Sequence, residues 1–164
     1  MHLLETKQFL PIELEEAWEF FSSPANLKAI TPEHMGFEIL SGFRNGESMH
    51  AGMVIRYIVK PLLKLPMHWV TEITHVKAPH YFVDEQRFGP YSFWHHQHFF
   101  TAVEGGVEMR DVVHYKIPGG PIGKLANHFF IRRKVEEIFR YRYLKLESLF
   151  GRFQPSPQRT IRTS

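Results

Sequence analysis

Cysteine is absent from the 164 residues. This excludes disulfides, thiolate metal sites, a cysteine nucleophile and a Rieske-type cluster. Aspartate occurs only as Asp84 and Asp111. No apolar run approaches the ~20 residues that span a bilayer, so no stable membrane insertion is expected. The start, Met1 to Glu5, lacks a charged segment followed by a long apolar stretch, so no signal peptide is expected and cytoplasm is the expected compartment. An excess of one charge is missing too. Arg152, Arg159 and Arg162 fall in a stretch without acids, and residues 1–150 are balanced in charge. A nucleic-acid-binding domain carries a basic footprint, so nucleic acid is not an expected partner. There is no Gly-rich phosphate loop, dinucleotide fingerprint or serine-nucleophile motif, and no cofactor is expected.

Large apolar rings are plentiful, with 15 Phe, 6 Tyr and 3 Trp, and there are 11 His. So much ring surface must fill a core or line a cavity. The overall composition is that of a globular chain.

The order of elements follows from periodicity. Residues 2–9 read as a strand ended by Pro11. From Glu13 the apolar residues Leu14, Ala17, Trp18 and Phe21 recur at helical spacing, with Glu15 and Glu16 in the first turn. Ser23 is a candidate cap for a second short helix, about 25–30, with Pro24 at its start. Strands are expected at 37–40, 53–60, 67–75, 81–88, 92–103 and 107–117, separated by Gly and Pro turns. A long helix, about 122–150, closes the domain, with Ile131, Val135, Ile138, Phe139, Leu146 and Leu149 as its apolar stripe. Its basic residues, including Arg140, Arg142 and Lys145, read as a solvated outer face. Residues 1–150 form one domain, and 151–164 read as a disordered basic tail. The fold class is therefore α+β. About seven antiparallel strands curl around one long C-terminal helix, with two short helices after the first strand.

The segments at 20–37, 65–74, 82–100, 109–127 and 130–142 carry a resemblance. They are similar to the SRPBCC superfamily, the helix-grip fold of birch pollen allergens, START lipid-transfer domains and polyketide cyclase/dehydrase-like proteins. Within it the chain resembles the bacterial ligand-binding SRPBCC proteins. The resemblance implies a cavity between sheet and C-terminal helix but names no ligand.

The residues that could carry chemistry sit on two neighbouring strands. Trp94, His96, His98 and Phe100 share one strand face, and Met109, Asp111, Val113 and Tyr115 share one face of the next. A two-residue Glu104-Gly105 turn puts His98 opposite Asp111, His96 opposite Val113 and Trp94 opposite Tyr115. A buried carboxylate needs a partner, so Asp111 is expected to pair with His98, or next with Tyr115. Such a strip could be a self-satisfied network, a ligand contact or a proton-transfer pair of His98 and Asp111. Asp84 and Gln86 lie in a segment that belongs to the resemblance, and they are candidate contributors to the cavity. His96 and His98 have ligand-like H-x-H spacing, but no third ligand is evident, so no metal is expected. Three loops could form a mouth, at 31–36, 60–66 and 118–123; Leu62, Leu63 and Leu65 make the second unusually apolar.

The expected function is binding of a small or medium hydrophobic molecule, such as a lipid, an isoprenoid or a polyketide-like aromatic. Gln86, Trp94, His96, His98, Phe100, Met109, Asp111, Val113 and Tyr115 are its expected contacts. The alternatives are a cyclase/dehydrase-type enzyme and a regulatory domain filled by its own aromatics. A homodimer is a candidate assembly.

Overall fold

Alternation governs β1 (His2–Leu10): Gln8 and Leu10 are buried while Lys7 and Phe9 are exposed. A computed structural model describes residues 1–44, 47–60, 65–121 and 130–154. After β1 comes α1 (Leu14–Phe21), which buries Leu14 and Ala17 and holds Glu15 and Glu16 in its first turn. The next helix, α2 (Pro24–Leu27), starts on proline as expected but is shorter than its predicted span. Ser23 stands at its N-cap position without a side-chain capping bond. The Asn26 amide instead donates to the Phe20 carbonyl at 3.0 Å and ties the two helices together.

Six strands follow. They are β2 (Glu38–Ser41), β3 (Val54–Val59), β4 (Met67–Lys77), β5 (Tyr81–Phe88), β6 (Phe93–Val103) and β7 (Gly106–Lys116). With β1 they form one antiparallel seven-stranded sheet in the order β1-β7-β6-β5-β4-β3-β2. Chain neighbours are sheet neighbours throughout, apart from β1, which closes onto β7. Register shifts at Val70/Thr71 and Ile73/His75 interrupt the pairing of β4 with β5. Extra residues of this kind bend a strand and raise its twist, which helps curve the sheet. At the β6–β7 hairpin the backbone of Gly106 runs against that of β1. A Cβ there would fall on the Leu10 carbonyl, so the close approach requires glycine.

The sheet grips α3 (Arg132–Phe150). Residues 122–129 of the predicted helix, the tail beyond 154, and Leu62 and Leu63 of the apolar loop all lie outside the described residues. Leu65 is exposed. The buried positions of α3 are Val135, Phe139, Arg142 and Leu146. Two predictions need correction here. Leu149 is exposed rather than part of the stripe, and Arg142 faces inward rather than toward water. The steps of four, three and four residues from Val135 to Leu146 put Arg142 on the buried line. Leu149 continues that spacing but lies in the last turn of the helix, next to its end at Phe150. At the far end of the helix the Phe153 ring rests 5.3 Å from Phe9.

Candidate functional site

Inward-facing residues of β3 to β6 and the inner face of α3 enclose a cavity of about 170 Å³. Tyr57, Trp69, Phe82, Trp94 and Phe139 supply most of its aromatic wall, while Phe20, Phe21 and Leu27 close it from the α1–α2 side. A depression of about 280 Å³ borders it and shares Met35, Tyr91 and Ile138 with it. His34, Pro118 and Lys134 stand around this depression, so two of the three predicted mouth loops meet there. Met35 is held in place by its carbonyl, which accepts from the Lys60 amide at 2.7 Å.

The polar part of the wall follows from the register of three strands. On the inner face Asp84 of β5 pairs with His96 of β6, and His98 of β6 pairs with Asp111 of β7. The two imidazoles therefore stand side by side between an aspartate from each neighbouring strand, with ring centroids 3.8 Å apart. Hydrogen bonds cross this square diagonally. His96 Nε2 bonds Asp111 Oδ1 at 3.0 Å, and His98 Nε2 bonds Asp84 Oδ2 at 2.9 Å. The remaining nitrogens are close to the other carboxylates, with His96 Nδ1 3.3 Å from Asp84 Oδ2 and His98 Nδ1 2.8 Å from Asp111 Oδ1. The last contact is poorly aligned, and His98 Nδ1 has no hydrogen-bond partner among the described residues. Phe82 stacks on His98 at 4.0 Å, and Phe139 packs against His96 at 5.6 Å.

Arg142 approaches from α3. Its Nη1 lies 3.8 Å from Asp111 Oδ1, and its guanidinium sits 5.0 Å from the centre of the Phe139 ring. The Nε and Nη1 atoms of Arg142 and the Nε1 of Trp69 are buried without hydrogen-bond partners among the described residues. Tyr57 is satisfied through its 2.8 Å bond with Thr71.

The electrostatics follow from this geometry. Burial pushes the carboxyls of Asp84 and Asp111 up, but the two imidazoles outweigh it and hold both well below the usual carboxylate range. Burial disfavours a charged His96, yet the Asp84 charge and the bonds to both aspartates raise its pKa above the ordinary histidine value. Burial first, and then the charge of Asp84, pushes the Tyr57 phenol up, so it stays neutral.

The expected site residues divide into three groups. Trp94, His96 and His98 line the cavity. Asp111 stands behind the histidines and, with Met109, borders a groove of about 400 Å³ between β1 and α3. Phe100 and Met109 belong to one packed cluster, and Val113 and Tyr115 to another. The expected His98–Asp111 pair is present as a 2.8 Å contact, and His96 adds the better-aligned bond to Asp111 at 3.0 Å. Tyr115 packs against Tyr91 and Trp94. Gln86 acts at one remove. Its amide donates to the Tyr91 carbonyl at 2.6 Å and accepts from the Tyr91 N–H at 3.2 Å, which sets the ring that joins cavity and mouth. A Cβ at Gly89 would collide with this amide.

Sequence reasoning did not single out Tyr57, Trp69, Thr71 or Arg142 as site residues. Alternation along 67–75 puts Trp69 and Thr71 on one face, and Arg142 sits three residues from Phe139 and four from Leu146. Those spacings were the available signals.

No protein-family model and no curated protein matches the chain. Solved structures do resemble it. Protein CV1439 from Chromobacterium violaceum superposes with a TM-score of 0.69 at 10% identity, covering 92% of this chain and 98% of that one. Protein Ms6760 from Mycobacterium smegmatis gives 0.64 at 16% identity, with 90% and 89% covered. Ara h 8.0201 gives 0.60 at 14% identity, with 90% and 98% covered. At these identities the likeness is one of fold, and the fold is the helix grip. Among the described residues no helix is long and apolar enough to cross a membrane.

Proposed function

We propose that the chain is a ligand-binding SRPBCC protein of the bacterial type. Its cavity takes up a small or medium apolar molecule that carries a hydrogen-bond-accepting head. One observation carries this reading: an aromatic cavity whose wall holds buried donors, Trp69 Nε1 and Arg142 Nε and Nη1, with no hydrogen-bond partner among the described residues. Buried donors are normally satisfied, and ligand pockets combine an apolar lining with a few placed polar groups. A carboxylate or carbonyl on the ligand is the complement of these donors.

Calorimetry with 2-naphthoate and its methyl ester tests this. Both should bind one per chain, because burial of the ring system is common to them. The acid should bind more tightly by about 10-fold, the scale of one charge-assisted hydrogen bond. Arg142→Met should remove that preference. Absence of binding for both compounds, or binding that Ile138→Trp leaves unchanged, would refute the cavity reading.

A second reading rests on His96, an imidazole with a raised pKa on the cavity wall. An acid–base pair there could shuttle a proton on a bound carbonyl compound, as in a cyclase/dehydrase-type enzyme. If so, the methyl protons of bound 2-acetonaphthone exchange into D2O faster with the wild type than with His96→Gln. Equal rates would leave binding without chemistry.

A further inference from the structure

The square of two imidazoles and two carboxylates has a shortage of donors. Four ring nitrogens lie 2.8 to 3.3 Å from carboxylate oxygens, and ionised carboxylates only accept. With both imidazoles neutral, two of the four contacts set a lone pair against a lone pair, and a charged His96 still leaves one. The two carboxylates also differ. Arg142 faces Asp111, whereas the ion pairs of Asp84 among the described residues are with His96 and His98. Among the described residues Asp84 is thus the carboxylate without an arginine beside it, and Asp84, not Asp111, lines the cavity.

A divalent cation resolves both features. Asp84 Oδ2 lies 3.3 Å from His96 Nδ1 and 2.9 Å from His98 Nε2. Ligand atoms about 3 Å apart fit adjacent positions around an ion with bonds of about 2.0–2.2 Å. One ligand atom from each of Asp84, His96 and His98 falls within 4.8 Å of the others. With an ion held there, each ring keeps its N–H on the far side. There His96 Nε2 and His98 Nδ1 both lie within 3.0 Å of Asp111 Oδ1. A ligating histidine commonly has its other nitrogen directed at a carboxylate, which sets tautomer and ring orientation.

We propose that Asp84, His96 and His98 form a site for one divalent first-row transition-metal ion. Asp111 orients both imidazoles, and the remaining coordination positions open into the cavity. Two histidines and one carboxylate suit iron(II) or zinc and leave room for an exogenous ligand. The H-x-H spacing supplied only two of these groups. The third comes from β5, through a strand register that spacing alone did not show. The site does not depend on the proposed apolar ligand, since its three ligands are all protein side chains.

The test uses the full chain, stripped with a chelator and titrated with Co2+ and with Zn2+. Calorimetry should show one ion per chain, and Co2+ should develop visible d–d bands typical of imidazole and carboxylate ligation. Asp84→Asn and His98→Gln should each weaken binding by about 100-fold, and Asp111→Asn by about 10-fold. The exposed pair His50→Gln/His75→Gln should change nothing. Circular dichroism checks that the variants fold. If they do not, the wild type still decides, because bound Co2+ should broaden the NMR signals of Phe82 and Phe139, which touch the two histidines. Failure of wild-type protein to bind one ion, or binding abolished by the His50/His75 variant and retained by Asp84→Asn, would overturn the proposal.

Discussion

Asp111→Ala is expected to destabilise the fold by about 3–5 kcal/mol, and Asp111→Asn by nearer 1 kcal/mol. The carboxylate is 3% exposed and faces three nitrogenous groups at once: His96 at 3.0 Å, His98 at 2.8 Å and Arg142 at 3.8 Å. Alanine leaves two imidazoles without their shared carboxylate and a buried guanidinium without the charge that faces it. Such orphaned charge accounts for the large figure, because the groups left behind have no water to turn to. Asparagine keeps the shape and one accepting oxygen, so His96 retains its bond. Urea denaturation of the two variants beside the wild type reads the difference. Equal, near-zero effects would mean that the carboxylate reaches water, which its burial denies.

The second large effect is a stability maximum in mildly acid solution, measured on chelator-treated protein. Asp84 and Asp111 have carboxyls held below the usual range. A depressed carboxylate contributes stability above its unfolded value, about 3.9, and that contribution is lost as pH falls through the folded value. His96 has the opposite sign. Its pKa is raised, so its contribution is complete below the unfolded value of about 6.5 and is lost as pH rises through the folded one. The groups that face it are Asp84 from β5, His98 on its own strand and Asp111 from β7, with Arg142 of α3 beyond Asp111. The network is therefore worth most between about pH 4 and pH 6.5. Loss on the acid side should reach at least about 2 kcal/mol, the scale of one ion-paired aspartate. Denaturation curves from pH 3 to 9 should be flatter for Asp111→Asn than for the wild type. A wild-type stability that rises steadily from pH 5 to 8 would contradict a charged His96.

The fold was legible because each of its signals is local. Period-two alternation, Gly and Pro turns and one long amphipathic stretch place every strand to within a few residues. The β6–β7 pairing was legible for a sharper reason. A two-residue turn leaves one register, and the structure pairs His98 with Asp111 and Trp94 with Tyr115 as that register requires. That register also brought His98 to Asp111 as expected, but the second bond, from His96 to Asp111, was not legible. Strand pairing fixes Cα positions, and the choice between adjacent and diagonal bonds lies with side-chain torsions. Asp84 escaped as a third member of the cluster because its place depends on the β5–β6 register. The Gly89–Ser92 connection is too long and irregular to determine that register. Arg142 was misassigned because a basic residue on a basic helix reads as exposed, and charge outweighed its position on the apolar line. The cavity itself could not be read from composition. The same aromatic excess would fill a core or line a hollow, and only the curvature of the sheet against α3 separates these outcomes.

The most direct test of ligand binding in the grip of sheet and helix is an isotope-filtered NOE experiment on the labelled full chain saturated with 2-naphthoate. The naphthalene protons should show cross-peaks to Trp69, Phe82 and Ile138, which line the cavity from β4, β5 and α3. Cross-peaks confined to exposed apolar residues such as Leu144 and Leu149, or none at saturating ligand, would contradict it.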